Sequence, residues 1–383
     1  MPLPISKGVF SIAYQVCVYA IAKNEEKFVD GFIDSMSEAD TICVLDTGSS
    51  DGTVERLRAR GAVVAQKRIE PWRFDTARNE SMRLIPADAD ICCCIDLDER
   101  FRPGWRAALE AAWQPDTTRA RYRYTWSFHP DGSEGHVFWP DKIHKTGCYR
   151  WTRPVHEVLS YTGEGAERIV TVPGIQLDHH PDETKSRAQY LPLLELAVAE
   201  DPEDDRSRHY LGREYMYRGE WAKAIATLRR HLALPRAVWA DERAASMRFI
   251  ARCYRRLGRD DLAAAWYHRA IGEAPHLREA YVDYAALLYD RQNWAGVAYF
   301  ANCALAITER PATYITEGYA WGALPWDYLS IALWHLGQVP AAAEACKNAL
   351  ILAPDNDRLQ RNLAFLTQCS YNSAESPKKG SVT

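Results

Sequence analysis

The sequence predicts an α/β domain built on a mostly parallel sheet, followed by an all-α array of helical repeats. Three observations carry this. Short apolar runs alternate with amphipathic helical patterns in the first half; the second half reads as helix throughout; and a Gly–Ala–Ala–Pro pattern recurs in it at fixed offsets. At about 150 residues per domain, 383 residues suit two or three domains. The expected boundaries are 1–185 for the α/β domain, 186–369 for the repeats and 370–383 for a disordered tail.

In the first half "QVCVYAIA", "TICVLDTG", "GAVVAQ" and "ICCCID" read as buried strands bounded by Gly, Asp or Asn. Between them "KNEEKFVDGFIDSM", "DGTVERLRAR" and "FDTARNESMRLI" read as amphipathic helices. Such alternation points to parallel strands covered on both faces, with a ligand crevice beyond their carboxyl ends. Asp46 and the carboxylates from Asp96 to Glu99 fall at those ends.

In the second half "GRDDLAAAWYHRAIGEAP" (Gly258–Pro275) aligns with "GQVPAAAEACKNALILAP" (Gly337–Pro354), and weaker copies start at Gly219 and Gln292. Gln292 lies 34 residues after Gly258, the tetratricopeptide period. About four helix pairs are expected, the glycines turning the hairpins and the alanines allowing close approach. An excess of eleven residues between the third and fourth copies lies in "TERPATYITEGYAWGALPW", read as a packing insertion or a contact surface. No cluster of His, Asp and Glu at metal spacing is expected in the array. Trp221, Trp239, Trp266, Trp294, Trp321 and Trp326 look exposed, though some must be core, since Trp buries a large area.

A net charge of −4 gives no general pull toward nucleic acid or an anionic membrane. The run Val16–Ala22 is too short to span a bilayer and has no basic flank, so neither a signal peptide nor a membrane span is expected. Ten cysteines sit in apolar runs without a Cys-x-x-Cys pair, which favours buried free thiols in a reducing cytoplasm over disulfides or a zinc ribbon.

The stretch "ICCCIDLDERF" (Ile91–Phe101) carries the chemistry. In a continuing strand Asp96 and Asp98 would share one face, with Leu97 on the other. Two carboxylates there suit Mg²⁺ or Mn²⁺, and Mg²⁺ usually takes further oxygens from phosphates, which points to a nucleotide diphosphate. A calcium loop fails, because Phe101 and Ala107 stand where Gly and Glu are needed. A merely charged loop end is the alternative for an isolated Asp-x-Asp.

"AIAKNEE", "VLDTGSSDGT", "FDTARNESM" and the Asp-x-Asp, in that order, resemble the family-2-type glycosyltransferases of the GT-A fold over residues 14–185. The composite with a repeat tail resembles bacterial and phage enzymes that glycosylate peptides or proteins, of the sublancin S-glycosyltransferase type. The resemblance implies a metal-dependent, inverting hexosyl transfer from a nucleotide sugar, a UDP-sugar by expectation, to a protein or peptide. Asp46 would meet the donor's base and Arg78 the base or diphosphate. Asp96 would meet ribose or metal and Asp98 the metal, with Ala22, Asn24, Glu25 and Leu97 lining the donor pocket. One departure is Thr47, where the family often has a second Asp.

"RWTRPVHEVL" (Arg150–Leu159) resembles the family's acceptor-side His-Glu segment, with Glu157 as base and His156 as alternative or orienter. In "IQLDHHPDE" a late His, His179 by family position or else His180, would complete a metal shell suiting Mn²⁺ somewhat better than Mg²⁺. The repeats would position the acceptor or pair two copies of the chain. A nucleotidyltransferase is the competing enzyme, but "AIAKNEE" lacks its Gly-rich loop. A non-catalytic scaffold with a relic transferase domain is the third reading.

Overall fold

The computed structural model describes residues 14–129, 132–182 and 188–375, and the chain divides into two compact units between Leu193 and Leu194. The expected boundary at 185/186 lies outside the described residues.

The first unit begins with the predicted alternation: β1 (Val16–Ala22), α1 (Val29–Ser35), β2 (Thr41–Asp46), α2 (Thr53–Ala59), β3 (Val63–Gln66), α3 (Phe74–Met82) and β4 (Ile91–Cys94). These strands pair in parallel in the order β3-β2-β1-β4. The "GAVVAQ" strand is less buried than expected: β3 is an edge with one neighbour, and Val63 is 51% exposed.

Beyond β4 the sheet becomes mixed. The chain continues through β5 (Glu99–Phe101), α4 (Trp105–Ala112), β6 (Arg119–Thr125), β7 (Val137–Phe138), β8 (Ile143–Lys145), β9 (Tyr149–Thr152), β10 (Val158–Tyr161) and β11 (Ile169–His179). The full order is β3-β2-β1-β4-β8-β6-β11-β5, with β7 on β6 and β9–β10 as a separate hairpin. β8 runs antiparallel to β4 and β6, β11 is parallel to β6, and β5 is antiparallel to β11.

Alternation explains the cysteine run. Val16, Val18, Ile91 and Cys93 enter one core with Phe32 of α1 and Trp105 of α4. Cys17, Tyr19, Cys92 and Cys94 enter the core on the other face, beneath Tyr149, Trp151 and Leu159 of the hairpin. Both faces are therefore buried, which a near-continuous apolar strand requires. All ten cysteines are free.

The second unit follows α5 (Tyr190–Glu200) with four helix hairpins. They are α6–α7 (Asp205–Tyr217, Trp221–Leu232), α8–α9 (Ala240–Arg256, Asp260–Glu273), α10–α11 (Arg278–Asp290, Trp294–Ala306) and α12–α13 (Leu324–His335, Val339–Leu352), closed by α14 (Asp357–Glu375). Gly219, Gly258 and Gly337 turn three hairpins at φ 78°, 69° and 75°; Gln292 holds the same left-handed position at φ 55°. Five residues on, Ala224, Ala263, Val297 and Ala342 are fully buried; twelve residues on, so are His231, Ala270, Ala304 and Ala349. Small side chains at these points let the paired helices close, and His231 is the exception in size.

The extra segment, 307–323, packs within the array. Tyr314 donates to Glu242, Glu317 pairs with Arg248 at 2.6 Å, Tyr319 donates to Asp283 at 2.8 Å and Trp321 to Glu279 at 2.9 Å. Of the six tryptophans expected at the surface, only Trp239 is exposed; the others are half-buried packing residues. The expected tail at 370–383 is also revised, since α14 runs to Glu375; 376–383 lie outside the described residues.

Candidate active site

The strand ends carry the charged residues, but not on a continuing strand. β4 stops at Cys94, and Asp96–Glu99 is a turn in which Glu99 N–H donates to Asp96 O at 3.0 Å. The alternation argument for Asp96 and Asp98 therefore does not apply. Glu99 closes the turn, its Oε2 accepting from Asp96 N–H at 2.9 Å and its Oε1 from the Tyr124 hydroxyl at 2.8 Å. β5 then pairs with β11 so that Glu99 lies opposite His179. This register brings Asp98 to His179: Asp98 Oδ2 and His179 Nε2 are 3.4 Å apart.

Of the two histidines in the doublet, His179 is the one whose ring faces Asp98. Its Nδ1 lies 3.0 Å from the Trp126 carbonyl, and a carbonyl can only accept, so Nδ1 carries the proton. Nε2 is then the ring atom that faces Asp98. The ring also stacks on Trp126 at 4.4 Å. Burial opposes the imidazolium, but Asp98 outweighs it and raises the His179 pKa. His180 faces elsewhere, its ring stacked with Phe128 and its backbone N–H on Asp98 O at 2.7 Å.

Asp96 turns from this pair to cations. Arg78 of α3 is 4% exposed; its guanidinium lies 2.6 Å from Asp96 Oδ1 and donates to Glu157 Oε1 at 3.0 Å. Lys142 stands 3.7 Å from Asp96 and 3.6 Å from Glu99. Burial works against the charges of Arg78 and Asp96, yet their mutual attraction wins: Arg78 is pushed up and Asp96 down. Glu99 is raised by burial. Asp96, Asp98 and His179 do not form a three-ligand cluster, so Asp96 stands apart from the Asp98–His179 pair.

The donor set fits a divalent cation. Asp96, Glu99 and Glu157 meet the cations Arg78 and Lys142, whereas Asp98 faces His179 Nε2, an atom that carries either a proton or a metal ion. A divalent cation held by Asp98 and His179 would take the place of that proton.

The remaining predicted residues shape the rim. Asp46 is fully buried, accepting from Gly48 and Ser49 N–H at 3.1 Å and from the Ser49 hydroxyl, so its carboxylate presents no surface to a ligand as it stands. Asn24, at φ 54°, accepts from Ser50 N–H at 2.7 Å, and Glu25 N–H donates to Thr53 at 2.8 Å. These bonds fasten the end of β1 to the turn after β2. Ala22 and Leu97 are core residues at 2% and 0% exposure. His156 and Glu157 lie in the β9–β10 connection, with His156 at φ 50°. Sequence reasoning missed Lys142, Trp126 and Tyr124, none of which sits in a local motif.

Residues 17–155 match the family model described as "Glycosyl transferase family 2", and residues 209–238 and 246–281 match a tetratricopeptide repeat model. A search of curated proteins finds no significant match. Similar solved structures include the APC/C hetero-tetramer Cut9–Hcn1, at 14% identity over 48% of this chain and TM-score 0.38; this chain spans 33% of that one. MamA is 15% identical over 44% of this chain and 89% of its own, at TM-score 0.36. Yeast Tom70 is 14% identical over 50% of this chain and 38% of its own, at TM-score 0.38.

Proposed function

We propose, for a chain that joins a glycosyl transferase family 2 domain to tetratricopeptide repeats, a metal-dependent inverting transfer of a sugar from a nucleotide diphosphate sugar to a protein or peptide. Glycosyl transfer is the general activity the family model supports. The observation that carries the finer reading is the Asp98–His179 pair beside the Arg78–Asp96–Glu157 network.

Asp98 and His179 would hold a divalent cation, Mn²⁺ or Mg²⁺, whose chemistry there would be to stabilise negative charge on a departing diphosphate. Arg78 and Lys142 keep Asp96 in place toward the nucleotide, a UDP in this reading. Asp46, Asn24 and Glu25 act through the turn they brace rather than by direct contact. Glu157 is the base: Arg78 fixes Oε1, and Oε2 lies outside that bond to receive the acceptor's proton. The repeats bring the acceptor, since stacked helix pairs serve chiefly to hold peptides or partners. Because segment 307–323 already crosses α8 and α10, the acceptor engages surface that this segment leaves open.

No helix among the described residues is long and apolar enough to cross a membrane. Buried thiols such as Cys92, Cys93 and Cys94, outside any disulfide, support a reducing compartment. The test is turnover of a panel of nucleotide sugars with Mn²⁺, in wild type and Asp98→Ala. Sugar release should be lost on chelation and nearly lost in the variant; equal, chelator-resistant release from both proteins would overturn the reading.

A further inference from the structure

Among the described residues one group of three metal-ligating side chains converges, and it lies in the helical unit, where the sequence suggested none. His209 of α6, His231 of α7 and Glu242 of α8 bring their ligand atoms within 4.8 Å of one another. Both imidazoles are fully buried and Glu242 is 4% exposed. His231 occupies the close-approach position that is Ala270, Ala304 and Ala349 in the other hairpins, so a ring fills space the fold elsewhere keeps small.

The hydrogen bonds around the group point its ligand atoms inward. Ser246, one turn beyond Glu242 on α8, lies 2.7 Å from His209 Nδ1 and 3.0 Å from His231 Nδ1. Both Nε2 atoms are buried without a hydrogen-bond partner; that of His231 stands 3.3 Å from Glu242 Oε1 but is not aligned as a hydrogen bond. Tyr314 donates to Glu242 Oε2, and Arg206 donates to the Tyr314 oxygen at 3.2 Å.

A count of protons sharpens this. A hydroxyl has one proton and accepts through its lone pairs. With both rings neutral and no cation, Ser246 can donate to one Nδ1, and His231 Nε2–H can turn toward Glu242. His209 Nε2 is still left without a partner. If Ser246 accepts from both Nδ1–H groups, both Nε2 lone pairs and the Glu242 carboxylate face one another: three acceptors and no donor. A proton on His231 Nε2 would satisfy that ring and Glu242 but leave His209 Nε2 unpartnered, whereas a metal ion satisfies all three atoms at once.

We propose that His209, His231 and Glu242 bind one divalent transition-metal ion of the Zn²⁺ class, which ties α6, α7 and α8 together. Two imidazoles and one carboxylate are nitrogen-rich for Mg²⁺ or Ca²⁺ and suit Zn²⁺. Ser246 and Tyr314 are the outer groups that fix ligand orientation. The site is structural and independent of the strand-end site.

The experiment uses the full chain carrying Asp98→Asn, which removes the other cation site, stripped with chelator and dialysed against Zn²⁺ or Co²⁺. Elemental analysis should find one Zn²⁺ per chain, Co²⁺ should give the visible absorption of a tetrahedral nitrogen–oxygen site, and saturating Zn²⁺ should raise the thermal midpoint by roughly 5–10 °C. Adding His209→Gln should abolish all three. If that protein does not fold, Ser246→Ala decides, with an expected loss of about 10–100-fold in Zn²⁺ affinity. The proposal is overturned if the Asp98→Asn protein retains no metal and melts alike with and without Zn²⁺. It is also overturned if His209→Gln retains the ion, or if Ser246→Ala binds it undiminished.

Discussion

The two units bury charge in different ways. At the strand ends of the α/β unit, Arg78, Asp96, Glu157 and Lys142 form one network along the edge of a sheet, and Asp96 and Lys142 keep about 30% of their side-chain surface. In the helical unit, Arg248, Asp283 and Glu317 meet between helices and segment 307–323, with Arg248 only 2% exposed, and the His209–His231–Glu242 group is sealed between three helices. The first network keeps part of its charge at the surface; the second fixes elements to one another. Charge at the strand ends is the candidate for chemistry, whereas charge between helices holds elements together.

Substitutions can break or sharpen this contrast. The largest effect is expected at Arg78, the one residue that should matter to both stability and turnover. Arg78→Met strands Asp96 and Glu157 without their buried partner and should cost about 3–5 kcal/mol in a denaturant titration. Loss of turnover with unchanged stability would mean that the network tolerates the uncompensated carboxylates.

Glu157→Gln should lower transfer by roughly 10²–10⁴-fold while nucleotide affinity barely moves. A collapse of nucleotide binding in a calorimetric titration would reassign Glu157 to the donor side and make His156 the candidate base.

In the helical unit a matching carboxylate should act on stability alone. Burial pushes the Glu317 carboxyl up, but Arg248 and Arg252 outweigh it and hold it down to about 2, against an ordinary 4.5. Its contribution is therefore complete above pH 4.5 and is lost as pH falls toward 2. Glu317→Gln should flatten the loss of thermal midpoint over that window and leave the turnover profile near neutrality unchanged.

The smallest effect should come from the hairpin turns. Gln292 holds at φ 55° the position that glycine holds in the other three hairpins. Gln292→Gly should stabilise by about 0.5–1 kcal/mol, and Gly258→Ala should destabilise by a similar amount, both read as shifts in the urea midpoint.

The contrast also explains what the sequence disclosed. β1 to β4 and their helices were legible because each apolar run is local, and Asp96–Asp98 stood out because a parallel sheet delivers its strand ends to one edge. The turn at Asp96–Glu99 was not legible, since only the pairing of β5 with β11 reveals that the chain reverses there. Nor was Lys142, which reaches Asp96 from a distant connection. In the helical unit the repeat period was plain, whereas residues 209, 231 and 242 come from three helices and share no motif. The available signal was a departure from pattern: a histidine at an alanine position.

The account's central claim is that Asp98 and His179 form the cation site serving a nucleotide diphosphate. Calorimetric titration of UDP into the full chain with saturating Mn²⁺, in wild type and Asp98→Ala, tests it most directly. The account predicts that wild type binds UDP only when Mn²⁺ is present and that the variant binds at least about 100-fold more weakly, the several kcal/mol a lost metal contact costs. Mn²⁺-independent UDP binding of equal affinity in the two proteins would contradict it.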